Sequence, residues 1–322
     1  MASPNSTFTE LVSTTFNKHR KEIADNLSNR NALLKAIDKN GMKEKEDGGL
    51  KIVTPLDYAE NGTYQRYSDW DTLDISASDV ISAAEYEWKQ IALNVVSSGR
   101  ELRINSGGSK IIKLAKSKMK NAIRTFNNNF SNDVYDDGLT TNQIGGLQHL
   151  VSADGTGTVG GITTAVGTND FWLSQVFDAG TASVTPSAST IENSMMLPLW
   201  LDLDRGPDDQ PDLIVMDNTY YQYFEASQVS IKRYMDSNKA DAGMLALKYK
   251  GADVLFDGNS GIPDEHFYML NTDYIGLCVH KDADLEILPD QRPINQDGVV
   301  VPILWMGNMT CSNRNQQGVA HA

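Results

Sequence analysis

The sequence predicts an α+β fold in which one long amphipathic helix is followed by many short strands. Two observations carry that prediction. Apolar residues recur at three- and four-residue spacing from about Ser109 to Phe130, the period of a single helix face. Short apolar runs bounded by glycine, proline, asparagine and aspartate fill most of the second half, and no internal repeat organises them. Hydrophobic residues at 40% and charged residues at 22% of 322 are ordinary globular values, which suit two domains or one elaborated domain.

Residues 1–46 are polar and mixed in charge. A helical stretch from Ala24 to Ile37 carries Leu27, Leu33, Leu34 and Ile37, and Lys43-Glu-Lys-Glu-Asp-Gly-Gly49 closes the segment. So few large apolar side chains cannot bury a core, so the segment is expected to be an arm ordered only by packing against something else. From Leu50 the pattern turns to β. Ile52, Val53, Leu56 and Tyr58 lead to Asn61-Gly62, a dipeptide that tolerates the positive φ of a tight hairpin turn, and Tyr64, Tyr67 and Trp70 follow. A second run puts Tyr86, Trp88 and Gln90 on one parity and Ile91, Leu93 and Val95 on the other. The expected product is a long two-stranded excursion whose aromatics need a surface, its own domain or a neighbouring subunit.

In the long helix Ile111, Ile112, Ala115, Met119, Ile123, Phe126 and Phe130 form the apolar face. Asn105-Ser106-Gly-Gly-Ser109 offers N-cap residues, and Asp137-Gly138 is a stop signal. Lys110, Lys113, Lys116, Lys120 and Arg124 repeat on the opposite face with no acidic residue between the first and the last. A solvated face and a binding face both fit such a stripe. Residues 138–190 are rich in Gly, Thr, Ser and Ala; Ile191 to Leu203 returns to a helical pattern, and an acidic loop runs from Asp202 to Asp212. Leu213–Met216 is a buried strand and Asn218 to Met235 a tyrosine-bearing helix. Ala252–Phe256, His266–Leu270, Ile275–His280, Leu285–Leu288 and Val299–Trp305 are further strands.

The net charge of −14 disfavours a dedicated nucleic-acid binder, which gains affinity by neutralising phosphates with Lys and Arg. The charge is uneven: residues 1–138 carry 19 basic and 19 acidic side chains, residues 139–322 carry 9 and 23. Two cysteines, Cys278 and Cys311, fit a reducing compartment, and Met1 to Phe8 has neither the basic region nor the apolar run of a signal peptide. The expected setting is a cytoplasm. The apolar run Val299–Met306 is interrupted by Pro302 and falls well short of the ~20 residues a membrane-spanning helix needs, so no span is expected.

Chemistry is hard to find. Gly155-Thr-Gly157-Thr-Val-Gly160 matches a dinucleotide-binding spacing, but the β- and turn-forming Gly161-Ile-Thr-Thr-Ala-Val-Gly167 follows where a helix is required, which favours a turning glycine loop. His19, His149, His266, His280 and His321 show no zinc-helix spacing, and Cys278 with His280 lacks an orienting partner. The loop from Asp202 to Asp212 offers carboxylates for calcium without the twelve-residue ligand pattern. No serine sits in a nucleophile elbow. The chain is expected not to be an enzyme and to need no cofactor or metal. Three glycosylation sequons, at Asn5, Asn61 and Asn308, carry no meaning in a cytoplasmic product.

Particular phrases, in this order, resemble the major capsid proteins of tailed bacteriophages with the Hong Kong 97-type fold. They are Ile81-Ser-Ala-Ala-Glu-Tyr-Glu-Trp-Lys-Gln90, Val95-Val-Ser-Ser-Gly-Arg-Glu-Leu-Arg103 and the long helix entered by Asn105-Ser-Gly-Gly. Gln143-Ile-Gly-Gly-Leu147, Trp305-Met-Gly-Asn-Met-Thr310 and Ser312-Asn-Arg-Asn-Gln-Gln-Gly318 complete the set, and the similarity runs from about residue 45 to the end.

The resemblance implies six regions. They are an N-terminal arm (1–46) over neighbouring subunits, an extended E-loop region (47–104), the P-domain spine helix (105–138), an A-domain (139–264), P-domain strands (265–310) and a C-terminal segment (311–322). The implied function is a major capsid protein that self-assembles as pentamers and hexamers into the icosahedral head around a double-stranded DNA genome. The implied location is the virion, assembled in the host bacterial cytoplasm. The implied partners are copies of itself, separate scaffold, portal and decoration proteins, and packaged DNA as a non-specific neighbour, with no membrane. Tyr64, Tyr67, Trp70 and Trp88 are then candidate inter-subunit contacts, and Lys110, Lys113, Lys116, Lys120 and Arg124 a candidate lumen-facing stripe. Lys51 and Lys89, the lysines of the E-loop region, have no surroundings that suggest a covalent cross-link. The alternative within the fold is an encapsulin-like nanocompartment shell. Outside it stand a β-rich adhesin or tail component, for the Gly, Thr and Ser content, and a metal-dependent hydrolase using Asp202 and Asp204.

Overall fold

The computed structural model describes residues 31–104, 108–207, 209–228, 247–257 and 261–322. The described chain starts with helix α1 (Ala32–Lys39), capped by the Asn31 side chain, which accepts from Leu34 N. Strand β1 (Lys43–Glu46) follows. Strands β2 (Ile52–Asp57) and β3 (Ile81–Tyr86) form an antiparallel ribbon, and β4 (Lys89–Ser98) leads into helix α2 (Gly99–Ile104). A reciprocal pair starts α2: Ser98 Oγ accepts from Glu101 N and Glu101 Oε2 accepts from Ser98 N, both at 3.2 Å, the arrangement of a capping box.

Helix α3 (Gly108–Tyr135) is the long helix. Met119, Phe126 and Phe130 are buried as their spacing predicts, and Val134 and Tyr135 continue the apolar face beyond the expected end. Tyr135 Oη donates to Asp257 Oδ2 at 2.7 Å, which ties the end of the helix into the core. After the short helix α4 (Leu147–Leu150), β5 (Thr158–Val159) and β6 (Ile162–Thr163) make a small hairpin. Its turn residues Gly160 and Gly161 have φ of +59° and +75°, so the glycine spacing serves a tight turn.

Then come β7 (Gln175–Asp178), a π-helical turn (Ile191–Met196) running into α5 (Leu197–Leu203), β8 (Leu213–Met216) and α6 (Asn218–Ser227). The chain finishes with β9 (Leu247–Tyr249), β10 (Ala252–Phe256), β11 (His266–Leu270), β12 (Ile275–His280), β13 (Glu286–Ile287), β14 (Gly298–Cys311) and β15 (Gly318–His321). The expected continuation of α6 to Met235 lies outside the described residues.

Two sheets carry the molecule. One runs β1-β12-β14-β13, and β4 pairs with the other edge of β14 from Gly298 to Gly307. Helix α3 lies against this sheet, with Phe130 meeting Trp305 edge-on at 4.8 Å. The other sheet runs β7-β15-β11-β8-β10-β9. It is a wall between two cores, and β8 shows how: Leu213 and Val215 join the core under α3, while Ile214 and Met216 join a second core with Trp200, Tyr220 and Phe224. A strand covered on both faces is a continuous apolar run, as Leu213-Ile-Val-Met216 is.

Four expectations need correction. Residues 31–46 do not stand out as an arm: Leu33, Leu34 and Ile37 are buried in the chain's own core, and β1 pairs in parallel with β12. Residues 1–30 lie outside the described residues. Asn61-Gly62 does not close a tight hairpin, because the ribbon's last pair is Asp57↔Ile81 and residues 58–80 form one long loop. The Asn61 side chain instead accepts from Thr63 N at 3.0 Å and Ser78 Oγ at 2.8 Å, bracing the loop internally. Strand β4, grouped with the excursion, belongs to the sheet under α3, because Val95 and Ser97 turn inward beside β14. Strand β11, grouped with the strands from 265 to 310, does not join the sheet under α3. Strands β11 and β15 pair with each other, and β11 with β8, so both lie in the wall sheet with 175–256.

Candidate assembly surfaces

The ribbon β2–β3 has a fixed foot and a free tip. Ile52, Leu56, Ala84 and Tyr86 point into the core, while Val53 and Ile81 face outward. Glu85 N donates to Gly160 O at 2.8 Å, and Tyr58 packs on Phe171 with ring centroids 5.4 Å apart. Lys51 pairs with Glu85 at 2.6 Å across the ribbon, and Lys89 pairs with Glu87 at 3.0 Å. Beyond this foot the loop is held by itself: Gln65 Nε2 donates to Thr72 O at 3.1 Å and Ser68 N to Asp71 Oδ2 at 2.8 Å.

The tip exposes what a core would hide. Tyr64 is 81% exposed, Tyr67 68% and Trp70 97%, with Leu73 and Ile75 beside them. Residues 58–80 also carry five carboxylates, Glu60, Asp69, Asp71, Asp74 and Asp79, against the single cation Arg66. Trp88 does not join this group. Its ring meets His280 edge-on at 5.6 Å and its Nε1 donates to Gly49 O at 3.1 Å, so it is partly buried within its own chain.

The basic face of α3 is divided. Lys116, Lys120 and Arg124 are exposed and make no ion pair among the described residues. Lys118, outside the predicted stripe, binds Glu101 at 2.5 Å and donates to Val96 O at 2.7 Å, which fastens the helix to β4. The side chains of Lys110 and Lys113, and the cap candidates Asn105 and Ser106, lie outside what is described.

A third feature was not foreseen as a unit. Four of the phrases that carry the sequence resemblance meet in the interior, through Glu87, Gly145, Asn308 and Arg314. Asn308 Oδ1 accepts from Gly145 N and Asn308 Nδ2 donates to Glu87 O, both at 2.9 Å. A Cβ at Gly146 would stand 2.4 Å from the carbonyl oxygens of Asp133 and Asp136, so this segment can close on the end of α3 only as glycine. Arg314 is fully buried; its guanidinium donates to Leu150 O at 2.6 Å, Trp172 O at 3.2 Å, Thr156 O at 2.8 Å and Ser152 Oγ at 2.9 Å. Sequence spacing offered no signal for it, since an arginine in a polar C-terminal stretch ordinarily lies in solvent.

The groups weighed for catalysis serve structure. Burial pushes the Cys278 and Cys311 thiols up to about 12, so neither is a ready nucleophile. In the acidic loop Asp212 accepts from Thr272 N at 2.8 Å and Asn40 Nδ2 at 3.1 Å, and Asp209 accepts from Asn271 and Gln316, each at 3.1 Å. Asp204 accepts from Gly206 N at 3.0 Å. Among the described residues no group of three or more His, Cys, Asp or Glu side chains is arranged to hold a metal ion.

No family model matches the sequence, and no curated protein matches it. Solved structures do match. The capsid of an empty GTA particle aligns with a TM-score of 0.56 at 12% identity, over 89% of this chain and 89% of its own. The capsid of cyanophage P-SCSP1u aligns at 0.53 and 12%, over 87% and 86%. The capsid of Myoviridae phage XM1 aligns at 0.52 and 10%, over 88% and 90%. The mixed helix-and-sheet fold built here is the fold of these capsid structures.

Proposed function

We propose that the chain is a tailed-phage major capsid protein, a structural protein that self-assembles as pentamers and hexamers into an icosahedral shell around double-stranded DNA. The observation that carries the reading is the combination of a capsid fold with a loop whose Tyr64, Tyr67 and Trp70 lie uncovered on the isolated chain. Aromatics dominate buried interface energy, and an exposed apolar loop on a self-bracing scaffold suits a contact made only when a second copy arrives.

In this reading the ribbon and residues 58–80 are the E-loop, reaching over a neighbour. The sheet β1-β12-β14-β13 with β4 and α3 is the P-domain, and the wall sheet with α5 and α6 is the A-domain around the rotation axes. Each contact is heterologous and closes by symmetry. The basic face of α3 then turns toward the lumen or toward subunit contacts beside it, with the acidic remainder of the chain keeping packed DNA from being gripped.

Electron microscopy of the purified full chain, alone and with a co-expressed scaffold, tests the proposal. Closed shells with five- and six-fold clusters are the expected result. Monomers under every assembly condition overturn it, and shells that hold protein and exclude DNA overturn its genome-enclosing part.

A further inference from the structure

His266 on β11 and His321 on β15 are register partners across the wall sheet, and their rings stack with centroids 5.4 Å apart and planes inclined by 22°. Strand β15 is interior to that sheet, between β7 and β11, so whatever loosens its end loosens two ladders. His266 Nδ1 lies 2.8 Å from Asp264 O, which can only accept, so this nitrogen carries the hydrogen and Nε2 is the site for a second proton. His321 Nε2 lies 3.0 Å from Ala153 O and its Nδ1 3.3 Å from Ala322 O. Both nitrogens of His321 thus face carbonyl oxygens.

We propose that this stacked pair is a proton-sensitive latch on the C-terminal strand: a proton taken at His266 Nε2, against the stacked ring of His321, drives the rings apart and frees the end of β15.

The surrounding charges define the balance. Asp178 on β7 is the register partner of His321, Asp217 at the start of α6 accepts from Glu265 N, and Asp264 and Glu265 precede β11. Asp217, Glu265 and the Asp264 carbonyl favour a proton on His266. Burial outweighs them at His266 and holds its affinity below the ordinary histidine value of 6.5, with the His321 charge acting in the same direction. A histidine whose folded affinity is depressed adds stability that is complete above its unfolded value and fades as pH falls through it. The latch is therefore closed at neutral pH and opens as the solution is acidified below about 6.

Hydrogen exchange of the full chain, read on peptides from 313 to 322 and corrected for intrinsic exchange, tests the latch between pH 7.5 and 5. Opening of β15 should rise about tenfold while β12 stays protected. His266→Phe keeps an aromatic ring without a titrating nitrogen and should flatten that response. Where His266→Phe does not fold, judged by circular dichroism at pH 7.5, His266→Gln takes its place. No pH response in the parent chain, or the same response in the folded variant, overturns the proposal.

Discussion

The Tyr86 hydroxyl donates to the Cys311 carbonyl oxygen at 2.8 Å and accepts from the Cys311 amide at 3.1 Å, so one side chain satisfies both backbone groups of a residue 225 positions away. Tyr86 ends β3 and Cys311 ends β14, and the exchange clamps the foot of the ribbon to the sheet under α3. Tyr86→Phe keeps the ring and orphans two buried backbone groups. It should cost about 1–3 kcal/mol in chemical denaturation and raise exchange at the Cys311 amide while leaving that of Val254 unchanged.

Arg314 is the second fastening. Among the described residues its charge has no carboxylate in direct contact and is satisfied by three carbonyl oxygens and a hydroxyl from the segment 150–172. Lysine cannot present that fork, and methionine removes the guanidinium donors to the Leu150 and Trp172 carbonyls, both on buried residues. Arg314→Met should lose roughly 3 kcal/mol or more, and Arg314→Lys should recover only part of it; thermal unfolding of both variants checks the order.

The exposed loop should behave in the opposite way. Tyr67→Ser with Trp70→Ser removes apolar area that the isolated chain leaves in water, so the unfolding midpoint should move by no more than about 0.5 kcal/mol in stability. Shell formation should fall at least tenfold, measured by sedimentation of assembled particles. Trp88→Ser should instead destabilise the subunit, because its ring and indole N–H are engaged within the chain.

On α3 the basic stripe and the fastened Lys118 should separate. Gln at Lys113, Lys116 and Lys120 should change particle yield or DNA content more than subunit stability, read by nucleic-acid absorbance of purified particles. Lys118→Gln should lower stability instead, since it loses both Glu101 and the Val96 carbonyl.

Strands written as apolar runs were legible to the residue: β8, β10, β11 and β12 start and end where Leu213, Ala252, His266 and Ile275 open their runs. The register of α3 was legible for the same reason, and Val134 and Tyr135 extend it because the period continues past Phe130. Strand β1 was not legible. Lys43-Glu-Lys-Glu46 has no apolar residue to set a period, and it is a strand only because β12 offers its edge and Asp284 receives Lys45 at 2.9 Å. The loop 58–80 hid for the converse reason, since its Tyr64, Tyr67 and Trp70 look like strand residues while the loop is braced by Asn61, Asp71 and Asp74, which accept from the amides of Thr63, Ser68 and Ser76. Of the candidate surfaces the loop aromatics Tyr64, Tyr67 and Trp70 are exposed on the chain, whereas Trp88, grouped with them as an aromatic of the same region, packs within it. The buried junction at Arg314 was quoted as phrases with no physical role, because a satisfied internal cation depends on carbonyls supplied by distant segments.

The two thiols give a test that reads the fold without assembly. Cys278 is 2% exposed and Cys311 fully buried, and burial raises both to about 12, so at pH 8 only about one thiol in ten thousand is ionised. Access and ionisation both oppose alkylation. Iodoacetamide at pH 8 should leave the folded chain unmodified for hours and label both cysteines within minutes in guanidinium, counted by intact mass. Tyr86→Phe should expose Cys311 selectively, because the lost hydroxyl frees the end of β14 while β12 continues to cover Cys278. Equal labelling of the two thiols in that variant would show that Tyr86 fastens the ribbon alone and leaves the strand end independent of it.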